Sequence, residues 1–448
     1  MTRTYTRITG KIPINQKVDP NYITQTRTYK LITPLFGGGA ETQKPDAVTT
    51  VRASEVRGHL RFWWRATRGG NLEFDGDIAK MKKREEEIWG SAAQKGKAGP
   101  SKVKMRVLIT NRTKSVLTKD VYDKKLKKNV PVEIGEPKSP WSYVSFPLRE
   151  QKDEYGNITK SAGSVLDAGI EFAIEISYPG KWKDDVEASL WAWEVFGGIG
   201  ARTRRGFGAL QCGNSNKPTM QSARGEIQNG LNKHVSDENF PNGVPHLTKQ
   251  LEFRTISKDD EILAWEYLFK KMKDFRQHRL PPKDNKPGRS NWPEPDSIRL
   301  ILKENKKFTF GVHEPKHLVV KRFPRAKFGL PINFEFPKQA DRDPKKTILQ
   351  GKPLGNDKYI DRLASPLIIR PISCSDGAIG LAAKLEWKAI ESEEDYTPPG
   401  GLFLTGKGYG DFPVKSNLIK DNTKDEAKDI LPLNGEPDVL QAFLDYLK

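Results

Sequence analysis

The amino-acid sequence predicts an α+β protein of two domains, the first with the strand, helix, strand, strand, helix, strand order of a ferredoxin-like (RRM-like) fold carrying inserted loops. Three observations predict it. Segments 26–35 and 169–178 alternate apolar and polar residues with the two-residue period of a half-buried strand. Two amphipathic stretches, 54–68 and 184–196, each run into a Gly-Gly pair that stops a helix. Gly, Asn, Ser and Pro gather between residues 213 and 245, the composition of a linker. On this reading residues 1–215 form the N-terminal domain, 216–250 a linker and 251–448 the C-terminal domain.

Taken in order, the first strand is Thr26–Leu35, rich in β-branched and aromatic residues and ending at Pro34. It empties into a glycine-rich polar segment from Gly37, which offers the carboxylates Glu41 and Asp46. The helix that follows takes Ser54 as its N-cap. At about 100° per residue, Val56, Leu60, Trp63 and Thr67 share its packed face, and Arg57, Arg61, Arg65 and Arg68 form a stripe beside it. Carboxylates do not interleave that stripe, so its arginines repel one another unless a polyanion lies against them. Trp63 reads as core; Trp64 and Phe62 either pack or stack on bases.

Lys102–Thr110 is the second strand, and the Lys-rich stretch 111–140 after it reads as a solvated insertion. In the third strand, Gly169–Tyr178, residues Ile170, Phe172, Ile174 and Ile176 face one side. The second helix, Asp184–Phe196, is capped by aspartate at its start. Between it and the short strand Gly208–Cys212 lies GGIGARTRRGFGAL, residues 197–210. Glycines 197, 198, 200, 206 and 208 permit positive φ and close backbone approach, and Arg202, Arg204 and Arg205 add donors suited to phosphate oxygens. The run lacks both GxxxxGK[ST] and the third glycine of GxGxxG, so a polyanion with a backbone fits it better than a nucleotide cofactor. The second domain opens with a helix at about 258–279, followed by the basic run 321–329, strands at 367–372 and 379–387, and a closing helix at 437–448.

Bulk composition narrows the function further. Lys plus Arg number 76 against 57 Asp plus Glu, a net charge of +19 with pI near 9.6, which favours nucleic acid. No apolar run approaches the roughly 18 residues that span a bilayer, and MTRTYTRITG has no signal-peptide core, so a soluble, cytoplasmic protein is expected. Cys212 and Cys374 are too few for a disulfide framework or a structural zinc site; no metal and no cofactor is expected.

The pieces TPLFGGGAE (33–41), RASEVRGHLRFWWRA (52–66) and GGIGARTRRGFGAL together resemble the RAMP superfamily of CRISPR defence. With GRSNWPE (288–294), KFGLPI (327–332) and RLASPLIIRP (362–371), the chain resembles the first RAMP subunit of the type III-B (Cmr) effector complex. The resemblance implies two ferredoxin-like domains, guide and target RNA as partners together with other subunits of the complex, contact with the 3′ region of the guide, and no cutting activity. By matched motif it assigns RNA contact to Arg52, Arg57, Arg61, Trp63, Trp64 and Arg65, and to the glycine loop Gly197, Gly198, Gly200, Arg202, Arg204, Arg205, Gly206 and Gly208. Two other readings stand beside it. A metal-independent ribonuclease would use His59 as general acid or base, with the loop carboxylate Asp46 as the other catalytic candidate. A scaffold would dock a second subunit through the aromatic helix.

Overall fold

The computed structural model describes residues 20–39, 45–46, 49–91, 99–153, 155–236, 239–282, 288–304, 315, 322–336, 344, 346–351, 362–387, 402–406, 410–414 and 424–448. Glu41 lies outside them.

In the N-terminal half, β1 (Tyr22–Leu31) leads through α1 (Ala53–Arg68) and α2 (Ile78–Trp89) to β2 (Lys104–Asn111). A hairpin of β3 (Thr118–Asp123) and β4 (Lys128–Glu133) occupies the Lys-rich stretch expected to be a loop; alternating valines and a turn tied to the Asp123 carboxylate explain it. Then come β5 (Glu171–Pro179), α3 (Lys183–Phe196) and β6 (Leu210–Cys212). The sheet runs β6-β1-β5-β2, antiparallel throughout. The predicted order of elements is therefore present, with α2 and the hairpin added to it. Ile170, Phe172, Ile174 and Ile176 are buried under α1 and α3, with Tyr29 packed between Phe172 and Trp193.

Neither helix starts as predicted. Arg52, not Ser54, is the N-cap of α1 and makes no capping bond, and α3 begins after Trp182, with Asp184 and Asp185 in its first turn. The Asp185 carboxylate accepts a hydrogen bond from Trp64 Nε1 at 2.7 Å. The stretch read as a linker holds another helix, α4 (Ala223–His234), because Ala223, Ile227 and Leu231 recur on one face and are buried.

In the C-terminal half, β7 (Phe253–Lys258) and α5 (Glu261–Arg276) precede α6 (Glu294–Glu304), β8 (Ile332–Phe334) and β9 (Thr347–Gly351). The hairpin of β10 (Leu367–Cys374) and β11 (Gly377–Lys384) follows, then β12 (Leu402–Gly406), β13 (Gly410–Val414), α7 (Lys424–Asp429) and α8 (Val439–Tyr446). One sheet runs β7-β11-β10, and α5 packs on it. It repeats the first half's sheet without a counterpart of β6 beside β7 among the described residues. A separate antiparallel sheet, β8-β9-β12-β13, was not read from the sequence. No described helix is long and apolar enough to cross a membrane.

The cores of the halves run into each other. Ile368, Ile379 and Leu381 belong to the cluster built around α1 and α3, while Phe36, Trp141 and Phe207 join Trp265 and Phe269 of α5. Trp141 Nε1 donates to Glu266 of α5 at 2.7 Å, so the segment after the hairpin is a bridge between the halves.

Candidate functional site

The glycine loop sits where the halves meet. Gly200 (φ +82°) and Gly206 (φ +83°) need the left-handed conformation, and a Cβ on Gly206 would lie 2.5 Å from the Trp265 ring. Loop N–H groups turn inward: Gly200 donates to Glu55 Oε1 (2.8 Å), Ala201 to Phe36 O (2.7 Å), Gly206 to Thr203 O (2.9 Å) and Gly208 to Pro34 O (2.8 Å). Gly197 N–H closes α3 on Trp193 O, and a Cβ on Gly198 would meet Gly208 O at 2.8 Å. The glycines thus allow close packing of backbone on backbone, and these N–H groups are occupied rather than presented to a phosphate.

Two of the loop's three arginines join the halves. Arg204 Nη1 donates to Ser365 O at 2.5 Å, and its guanidinium lies over Phe62. Arg205 donates to Leu367 O (3.1 Å) and Phe328 O (3.0 Å), and its own carbonyl accepts from Trp265 Nε1 (2.7 Å). Arg370 of β10 answers from the other side: it is buried and donates to Glu194 O (2.8 Å), Gly197 O (2.7 Å) and Leu210 O (2.7 Å). Burial pushes Arg205 and Arg370 each down to about 9, since a charge enclosed with carbonyl dipoles alone is less well solvated than in water.

Arg202 behaves differently. It is a non-glycine residue at φ +60°, its Nε is buried without a hydrogen-bond partner, and its guanidinium rests 5.9 Å from the Phe36 ring and 5.0 Å from Phe146. Burial, then the nearby charges of Arg362 and Arg276, push it down to about 10. Arg276 donates to Tyr143 Oη at 2.9 Å and leaves its own Nε unpartnered. Among the described residues none of these three arginines has a carboxylate partner. Arg276 also borders a cavity of about 310 Å³, lined further by Tyr143, Arg279, Arg289, Asp296 and Glu335.

On α1 the arginine stripe divides. Arg61 Nε and Arg65 Nη1 both donate to Glu85 Oε1 of α2 at 2.6 Å, and Arg68 reaches Ser236 at 3.2 Å. The missing counter-charge therefore comes from α2, which no helical periodicity of α1 could reveal. Arg52 donates to Gly38 O at 2.6 Å, while Arg57 has its Nε buried and unpartnered. Trp63 and Trp64 are 4% and 0% exposed, which leaves neither ring free to stack on a base. His59 is pushed down to about 4 by burial, and Asp46 accepts from the Thr49 N–H and hydroxyl. No cluster of three or more His, Cys, Asp or Glu side chains suited to a metal occurs among the described residues. The sequence reading missed Tyr143, Phe146, Arg276 and Arg370; Arg362 and Arg370 lie within the RLASPLIIRP motif, the only signal that pointed toward them.

The RAMP superfamily model matches residues 28–211, the segment from β1 to β6. The CRISPR system Cmr subunit Cmr1-2 of Pyrococcus furiosus is 30% identical over 189 residues, covering 40% of this chain and 90% of that relative. The chain belongs to the RAMP superfamily. Within this superfamily its similarity is to Cmr1 subunits of type III-B systems: Cmr1-1 of the same organism is 26% identical over 165 residues, 36% of this chain and 40% of that one. Among solved structures, Cmr1 from Pyrococcus furiosus in its apo form aligns with a TM-score of 0.45 at 14% identity, over 84% of this chain and 92% of the other. A chain of the Type III-B Cmr-beta complex bound to cognate target RNA aligns with a TM-score of 0.44 at 14% identity, over 82% and 95%. For this RAMP protein the family match covers the half that contributes α1 and the glycine loop, and Arg370, which is bonded to the base of that loop, comes from the other half.

Proposed function

We propose that this chain is a non-catalytic, RNA-binding subunit of a cytoplasmic type III-B CRISPR effector complex, touching guide RNA toward its 3′ region and the target RNA. Its two units, 1–215 and 251–448 joined through 216–250, are ferredoxin-like domains in this reading, the second lacking one edge strand among the described residues. The observation that carries the proposal is Arg202, whose Nε is buried without a hydrogen-bond partner, which feels the charges of Arg276 and Arg362 and, like them, has no carboxylate partner among the described residues. Like charges held together raise the free energy of the empty protein, and a polyanion backbone relieves it. Of the motif residues, Arg57 and Arg202 are the candidates for phosphate contact; Arg61, Arg65, Arg204 and Arg205 shape the surface from beneath. Membership of the family and the net charge of +19 support the same reading.

The non-catalytic assignment rests on the two candidates for chemistry. His59 is half-buried, has no hydrogen-bond partner among the described residues and is pushed down to about 4, and the Asp46 carboxylate is turned to Thr49. The test is a titration of the chain into end-labelled single-stranded RNA with chelator present, across a salt series. Binding of intact RNA, with the log-log slope set by about 0.7 per phosphate contact, is expected. Shortened RNA would replace this reading with a metal-independent ribonuclease, and no shift at all would replace it with a docking scaffold.

A further inference from the structure

Phe146 is a large apolar side chain that the fold leaves in water. It opens the one-turn 3-10 helix Phe146–Leu148, and the residue is 57% exposed although Val144 and Leu148 are buried. The backbone beneath it is anchored from several directions: Trp141 is packed against Trp265 and bonded to Glu266, Ser145 Oγ donates to Trp141 O at 2.7 Å, and Lys160 Nζ donates to Pro147 O at 2.8 Å. The ring is therefore presented on a fixed support rather than left on a loose loop. Single exposed apolar residues are common and need no explanation by themselves. This one has the guanidinium of Arg202, its Nε buried without a hydrogen-bond partner, at 5.0 Å from its centroid, and that guanidinium feels the charges of Arg362 and Arg276.

We propose that Phe146 is a stacking platform for an unpaired RNA base, with Arg202 as the ligand of that nucleotide's phosphate. The inference rests on the RNA-binding reading and deepens it. A nucleotide answers both halves of the arrangement at once: the base covers exposed apolar ring, and the phosphate supplies the anion that Arg202 lacks. A protein partner docking an apolar surface here would have to bury Arg202, Arg276 and Arg362 against it, at a cost that RNA does not incur. Stacking also explains how the site takes unpaired strands, because a base already paired inside a duplex presents only its edges.

The test uses the full chain with a short fluorescein-labelled single-stranded RNA, and the same strand annealed to its complement, over a salt series. Phe146→Ala, an exposed position, folds normally. Its expected effect is a loss of single-strand affinity of about 5- to 150-fold, as for one stacked base, with duplex affinity and salt slope unchanged and Phe146→Trp restoring binding. Arg202→Gly relieves a strained backbone, so its Tm should equal or exceed that of the natural chain while the salt slope falls by about 0.7. Unaltered single-strand affinity in Phe146→Ala overturns the platform, as does an equal loss on duplex. A fall in salt slope with Phe146→Ala overturns it too, because the ring would then serve only to hold Arg202. Capture of a neighbouring subunit lost at intact RNA affinity reassigns Phe146 to protein docking. Failure of the natural chain to bind RNA would sink the RNA-binding reading and the platform together.

Discussion

Replacing Arg370 with methionine removes the guanidinium that ties β10 to the base of the glycine loop while keeping most of the side chain's volume. The Glu194, Gly197 and Leu210 carbonyls, at 2.7–2.8 Å from its nitrogens, then lose their donors inside the joint. Each buried carbonyl left unsatisfied costs about 1–3 kcal/mol. Against this stands a gain, since burial pushes the Arg370 charge down to about 9 and an apolar chain in its place carries no such penalty. The two together leave a net destabilisation of about 2–5 kcal/mol. Urea unfolding followed by tryptophan fluorescence reads it, with Trp193 on one side of the joint and Trp265 on the other. Because the variant loosens the contact between the halves, the transition should also broaden or split. A midpoint and width indistinguishable from those of the natural chain would refute the reasoning, by showing that the arginine is not what makes the two halves one cooperative unit.

Three further predictions follow from the same geometry. Glu85→Gln leaves Arg61 and Arg65 without their shared carboxylate; with the arginines about one-third exposed, the cost is about 1–2 kcal/mol, and an unchanged thermal midpoint would show those charges to be solvated. His59 is held down to about 4 in the folded chain against 6.5 when free, so the unfolded state binds more protons in that window and stability falls as pH drops from 6.5 toward 4. His59→Gln should flatten that fall in a series of melting curves, and parallel curves for the two proteins would contradict it. Gly206→Ala meets Trp265 and a φ of +83°, whereas Gly58→Ala on exposed α1 meets nothing within 4 Å; the first should lower Tm and the second raise it, by about 1 kcal/mol in the latter case. Tm shifts of the same sign in both would count against the assignment.

Much of the N-terminal half was legible in the sequence because its signals are local. Ile170 to Ile176 alternate, α1 and α3 carry apolar stripes and stop at glycines, and the resulting order of elements is the one observed. Helix starts were less legible: Ser54 is a good cap by type, yet the chain turns into the helix at Arg52, whose side chain makes no capping bond and reaches Gly38 O instead. The Lys-rich hairpin was hidden by its charge, and its strands, none of whose residues is buried, are held by their own pairing and the Asp123 turn; the α4 segment was hidden by its Gly, Asn and Ser content and is held by burial of a few apolar residues that composition averages away. In the C-terminal half the sheet β8-β9-β12-β13 depends on the pairing of β9 with β12, strands far apart in sequence with no local marker of their pairing.

The glycine loop shows where the division falls. Residue types along the chain determine that a tight, arginine-bearing turn lies between α3 and β6, that the protein is strongly basic, and that its motifs are those of RAMP proteins. What each arginine does was decided only by tertiary structure, because the partner of a guanidinium is whichever acceptor the fold brings to it. Glu85 pairs with Arg61 and Arg65, the 365–367 carbonyls take Arg204 and Arg205, and Arg202, with its Nε buried and unpartnered, is left beside an exposed ring. Side-chain type sets the charge; the long-range packing of α2, β10 and the 141–148 segment sets whether that charge is spent inside the protein or kept for a ligand.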